Sequence, residues 1–249
     1  MKKRGFTLAE VLITLGIVGV VAALTAPALV MSSRNEANAA RLSSTVSQLE
    51  SAFHNAMLSE GVEEFSQTTI AENRNSPRSV IGNLGKYLIV ATAYYGTPSA
   101  FYSGSAAPSG MASNGSNSNN SAALNELNRN YNNIINLKNG STVFFKLTGN
   151  VTNEAIKQIR INNGSSLYTT AGFCMIDVNG KSSPNMIGRD IFLFIIGQNG
   201  SLYPRGGEDY HVADNTTGLW QNNCANGNIR NDGWECTARV IAEGYKINY

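Results

Sequence analysis

Glu10 is the residue whose placement most needs a chemical reason. It is the only charge in an apolar stretch that runs from Phe6 to Met31. A carboxylate at such a position costs several kcal/mol in lipid unless it is paired, so a charge inside an apolar span marks function. Cys224 and Cys236 stand twelve residues apart in a Gly- and Asn-rich stretch. With no further Cys or His beside them they lack the four ligands of a zinc site. Their spacing suits a loop-closing disulfide in an oxidising compartment. Cys174, inside the apolar run Phe173 to Ile176, reads as a buried free thiol, with a mispairing or regulatory role as the other reading. Asp177, Asn179, Asn185 and Asp190 bring hard oxygen donors around the Asn179-Gly180 turn signal. Counted from Asp177, however, position 12 is Gly188 rather than the Glu of an EF-hand loop. The quartet is either a cation site or two turns flanking a strand.

Catalytic chemistry finds little to work with. The two histidines are His54, on a helical pattern, and His211, in the polar segment EDYHVAD beside Glu208, Asp209 and Asp214. The latter reads as an exposed loop, with a metal or an oriented base as its alternative. No nucleophile elbow, phosphate loop or metalloprotease helix is present, and no enzymatic activity or organic cofactor is expected. Of 249 residues only 14% are charged, and the net charge is +2. Loss of Lys2, Lys3 and Arg4 would make it −1. No basic stripe with interleaved aromatics advertises nucleic acid.

The elements that position Glu10 begin with a basic leader. Lys2, Lys3 and Arg4 precede Gly5, and Val11 to Met31 then runs for 21 residues without a charge, enough helix to cross a ~30 Å hydrocarbon core. The basic flank places the N-terminus in the cytoplasm and everything after Met31 outside. An ordinary secretory signal has a shorter apolar core and a small-x-small cleavage site; the candidate site near Ala26 is followed by Pro27. A plain anchor leaves Glu10 unexplained.

Gly5-Phe6-Thr7-Leu8-Ala9-Glu10, after a short basic leader and before an uninterrupted apolar run, resembles the class III signal of type IV prepilins and type II secretion pseudopilins. The resemblance covers about thirty residues. It implies cleavage after Gly5 by a prepilin peptidase, N-methylation of Phe6, and an assembly helix in which Glu10 is the acidic residue and Pro27 kinks or locally melts the helix. It further implies other pilin or pseudopilin subunits, an inner-membrane platform protein and a cytoplasmic assembly ATPase as partners. The location implied is the bacterial inner membrane, then a periplasmic or cell-surface filament. Because major pseudopilins order a C-terminal loop with calcium, calcium is the cation implied for Asp177, Asn179, Asn185 and Asp190.

Beyond the span, Ala39, Leu42, Val46, Leu49, Phe53 and Met57 recur at helical steps. With Pro27 the only strong breaker before Gly61, one helix is expected from Phe6 to about Glu60, apolar all round and then amphipathic. The Ser-, Asn- and Gly-rich segment 103–121 is too poor in apolar groups to fold by itself. Leu124, Leu127, Tyr131, Ile134 and Ile135 suggest a short helix. Strands are expected at Val143 to Leu147, Phe173 to Val178, Asp190 to Ile196 and Ser201 to Tyr203, the last two as a hairpin around Asn199-Gly200. Thr237 to Ala242 and Tyr245 to Ile247 would complete the edge. Asn114, Asn139 and Asn215 open Asn-x-Ser/Thr triplets, which are chance matches or glycosylation acceptors.

The expected organisation is a leader (1–5), a membrane and assembly helix (6–31), its amphipathic continuation (32–60) and a head (61–249). The fold class is α+β and pilin-like, a long N-terminal helix on an antiparallel sheet. The expected function is that of a structural filament subunit, major or minor. The rival is a filament-tethered binding module, an adhesin or a DNA-uptake minor pilin.

Overall fold

In the computed structural model, residues 7–72, 77–102, 133–147, 170–183, 185–207, 219–225, 228–229 and 233–249 are described, with the short pairs 110–111, 117–118, 159–160 and 167–168. Gly5, Phe6, Leu124, Leu127, Tyr131, His211, Asn114, Asn215 and most of 103–121 lie outside them.

Helix α1 spans Leu8–Glu60, 53 residues. Its first half turns every side chain outward, and burial begins only at Asn38 and continues through Ala39, Leu42, Thr45, Val46, Leu49, Ala52, Phe53, Ala56 and Met57. All six apolar positions expected on the inner face are therefore buried. The helix ends where Gly61 takes a left-handed φ of 66° and its N–H returns to Leu58 and Met57, a conformation that glycine adopts without a Cβ penalty. A shorter helix, α2 (Pro77–Leu84), follows.

The sheet has six strands: β1 (Val90–Tyr95), β2 (Asn133–Leu137), β3 (Thr142–Leu147), β4 (Thr170–Asp177), β5 (Ile191–Gly197) and β6 (Leu202–Pro204). They lie side by side in chain order, every neighbouring pair antiparallel. The turn between β2 and β3 carries Gly140 at φ 91°, and that between β5 and β6 carries Gly200 at φ 79°.

Alternation sorts the side chains to two faces. Val143, Phe145, Cys174, Ile176, Phe192, Phe194 and Ile196 point to α1, where Phe53 packs on Phe65 and Phe145 with ring centroids 4.6 and 6.3 Å apart. Phe144, Met175, Ile191 and Leu193 point the other way, under Phe101, Tyr102 and Trp234. Cover on both faces explains why β5, Ile191–Gly197, is apolar throughout rather than alternating. This is the α+β, pilin-like layout of a long N-terminal helix packed with an antiparallel sheet.

Three expectations are corrected. Thr237 to Ala242 is not an edge strand but part of helix α3 (Cys236–Ala242), and Tyr245 to Ile247 is not a strand either. Ile134 and Ile135 are in strand β2, not in a helix. The edges are β1, which the sequence did not flag, and β6.

Candidate functional site

The described chain opens on a helix cap. Thr7 has extended backbone (φ −78°, ψ 152°), and its Oγ1 accepts from the Glu10 N–H at 3.2 Å. The Glu10 carboxylate reaches back, its Oε2 accepting from the Thr7 N–H and the Thr7 hydroxyl, both at 2.8 Å. Each side chain thus satisfies a donor of the first turn that the helix leaves orphaned. The sequence reading gives Glu10 a functional reason but does not draw this partner for it. The S/T-x-x-E spacing was the missed signal.

Above the cap the helix is a bare apolar shaft. Leu8, Leu12, Ile17, Leu24 and Leu29 are each at least 60% exposed, and this is the one helix among the described residues long and apolar enough to cross a membrane. Pro27 neither ends nor melts it, since α1 is continuous on both sides. A proline inside a helix removes one donor, here toward the Ala23 carbonyl, while its fixed φ still suits the helix.

Where the shaft meets the head, polar residues fix the register. Asn35 Nδ2 donates to the Ile247 carbonyl at 2.9 Å, and Asn38 Nδ2 to Asp190 Oδ1 at 2.6 Å. Thr45 Oγ1 donates to Ser141 Oγ at 3.1 Å and accepts from Asn139 Nδ2 at 2.9 Å. Glu50 Oε1 accepts from the Leu202 N–H at 2.9 Å. The half-buried Asn139 amide is thus engaged with α1. Sequence reasoning missed Asn38 and Thr45, although both fall at helical steps along the apolar stripe. His54, also on α1, meets the Asn199 carbonyl through Nε2 at 2.9 Å, a role in packing the β5–β6 turn.

Asp177 ends β4, Asn179 and Asn185 lie in the loop that follows, and Asp190 stands just before β5. Asp177 accepts from the Tyr102 hydroxyl through Oδ2 at 2.6 Å and from the Asn179 N–H through Oδ1 at 3.1 Å. Asp190 accepts from Asn38 through Oδ1 and from the Met186 N–H through Oδ2 at 3.1 Å. All four carboxylate oxygens are thus turned to protein donors. Burial pushes the Asp177 carboxyl up to about 8 and that of Asp190 up to about 6. The residues form a buried hydrogen-bonded seam that ties α1 and Tyr102 to the sheet.

At the other end of the head, Cys224 and Cys236 form the expected disulfide, with Cα atoms 5.2 Å apart. Cys236 starts α3, and Arg239 on that helix donates through Nη1 to the Cys224 carbonyl at 2.7 Å and through Nε to Glu243 at 2.9 Å. The bridge thus staples α3 to the segment before it. We expect Cys224→Ser to lower head stability by about 2 to 3 kcal/mol, the range for closing a short loop. Urea unfolding with and without reductant checks this: reductant should weaken the wild type and leave the variant unchanged. Cys174 is fully buried and unbridged, and burial pushes its thiol well up, away from reactive thiolate.

Residues 1–26 match the family model described as the prokaryotic N-terminal methylation motif. No curated protein and no solved structure matches the chain. The basic leader, the Thr7-Glu10 cap and the start of the bare shaft all fall within those residues, so the segment that matches the prokaryotic N-terminal methylation motif matches the class III signal of prepilins and pseudopilins.

Proposed function

We propose that this chain is a structural subunit of a type IV pilus-like filament or type II secretion pseudopilus, cut after Gly5 and methylated on Phe6. The observation that carries the reading is the division of α1. One continuous helix leaves residues 8–31 uncovered and, Glu10 apart, free of charge, while its second half is built into the head. Such a shaft needs lipid around it and then, in a filament, other shafts. The methylation motif supports a pilin- or pseudopilin-type subunit. The pilus or secretion assignment, the platform protein and ATPase as partners, and the orientation with the N-terminus cytoplasmic and the head outside belong to this proposal. The subunit contributes packing and register, and the energy for assembly comes from the ATPase.

Glu10 has a defined place in this reading. Cleavage gives Phe6 a positive amine at the helix start, and in a filament that amine on one subunit pairs with Glu10 of another. Until then the Thr7 cap keeps the carboxylate satisfied. Intact mass spectrometry of the protein from its host tests the proposal. A mature chain beginning at Phe6 and carrying one added methyl group is expected. An intact leader, or cleavage near Ala26, would end the reading.

A further inference from the structure

A groove of about 750 Å³ lies at the neck, between the outward half of α1 and the loop that joins β4 to β5. Its lower wall is apolar, from Pro27 and Val30, and its upper wall is cationic, from Arg34 and Arg41 on α1 and Arg189 on the loop, with the Ser182 hydroxyl beside them. Arg34 and Arg41 are exposed. Arg189 donates through Nη2 to the Tyr249 carbonyl at 2.8 Å, and its buried Nε–H has no acceptor among the described residues. The one acid in the lining, Asp190, gives its oxygens to Asn38 and the Met186 N–H and offsets Arg34 and Arg189 in part, which leaves one carboxylate against three guanidinium groups.

Depth decides what fits. Arg34 is the first charge after Glu10, and Pro27 lies seven residues, about 10 Å, below it at the helical rise. With the shaft in a bilayer, Pro27 and Val30 sit at acyl-chain depth in the outer leaflet and Arg34 at phosphate depth, with Arg41 about 10 Å above it and its side chain leaning back toward the N-terminal turn. We propose that this groove binds an anionic phospholipid of the outer leaflet, its phosphodiester held by Arg34, Arg41 and Arg189 and one acyl chain lying along Pro27 and Val30. Inorganic phosphate would leave the apolar wall unused. The shaft of a second copy carries no acid from Val11 to Ser33 and would leave the groove's net positive charge uncompensated. The lipid answers both halves and would hold the head at a fixed height before assembly.

This rests on the membrane reading of α1, and the two are tested separately. The full mature chain is reconstituted in nanodiscs of phosphatidylcholine with a minority of phosphatidylglycerol, and the lipids that remain on the protein are weighed by native mass spectrometry. Phosphatidylglycerol should be enriched over its bulk fraction. Arg34→Gln and Arg41→Gln should each cut the enrichment about fivefold, the worth of one basic residue at a lipid surface, and the double variant should fall to the bulk ratio. Lys86→Gln, which removes an exposed charge outside the groove, should change nothing, and added inorganic phosphate should not displace the lipid. Insertion with lipid at the bulk ratio, unchanged enrichment in the double variant, displacement by phosphate, or a lipid-free dimer would overturn the lipid site while leaving the membrane reading standing. A chain that fails to insert would overturn both.

Discussion

Glu10→Ala is expected to insert in the membrane and to be cleaved after Gly5, yet to be lost from sheared filaments by a hundredfold or more. The magnitude follows from stranding a charge. Removing one partner of a buried ion pair costs about 3 to 5 kcal/mol, and each 1.4 kcal/mol is about tenfold in an equilibrium. The capping box sharpens the test, because Glu10 has two roles that one variant confounds. Its carboxylate accepts from both donors of Thr7, and an N-cap is worth about 1 kcal/mol. Thr7→Ala removes the hydroxyl and keeps the acid. If the filament pair with Phe6 dominates, Thr7→Ala should assemble at least as well as wild type, since it raises the free energy of the unpaired subunit in lipid and leaves the assembled one unchanged. Glu10→Asp, one methylene shorter, should be partly active. Immunoblots of sheared filaments against total membrane protein measure all three. Wild-type incorporation of Glu10→Ala would sink the ion-pair mechanism for a subunit with a neighbour above it and would point to a tip position.

The helix was legible because its signals are local. A charge-free run, a stripe at three- and four-residue steps and a glycine stop all lie along one stretch of chain, and Leu8–Glu60 follows from them. Strands β3, β4 and β5 were legible for the same reason, as β-branched and aromatic runs bounded by Asn-Gly turns. What failed depended on contacts far away in sequence. The segment Thr237 to Ala242 is rich enough in β-branched residues to pass for a strand, but its environment makes it a helix. Thr237 Oγ1 accepts from the Leu193 N–H at 3.1 Å and donates to the Trp234 carbonyl, while Arg239 pairs with Glu243 one turn on. That i,i+4 pair and Gly244 at φ 71° were the available helical signals. Ile134 and Ile135 fit either period, and only their pairing with Phe144 and Val143 decides for strand. Of the four oxygen donors expected as a calcium site, Asp177 and Asp190 also belong to a hydrogen-bonded seam that no local pattern announces. Their partners in it, Tyr102 and Asn38, lie 75 and 152 residues away in sequence, beyond the reach of any spacing rule.

That buried seam should make the head weaker as pH rises. An Asp side chain ordinarily loses its proton near 3.8, whereas Asp177 in the folded head holds it to about 8. Burial is the main cause; the hydrogen bonds from Tyr102 and Asn179 oppose it, and the charge of Asp190 adds to it. Between those two values the folded state binds more protons than the unfolded one, so stability falls as pH rises through that window and levels off above it. Asp190, which Arg189 and Arg34 partly offset, adds a shorter fall that ends near 6. The two groups together should cost the wild type on the order of 3 kcal/mol or more between pH 5 and pH 8. Asp177→Asn keeps the shape and one acceptor without a proton to lose. It should be less stable than wild type at pH 5, where it misses a hydrogen bond, and equal or more stable at pH 8, so that the two profiles cross. Urea unfolding of the detergent-solubilised mature chain across that range measures the crossing. Parallel profiles would show that Asp177 ionises in the folded head as freely as in the unfolded chain, and the seam would then be an ordinary hydrated carboxylate cluster. A crossing would mean that the Asn38–Asp190 link between shaft and head sits beside a carboxyl that neutral pH is only just failing to ionise, so that mild acid should tighten the head on its helix.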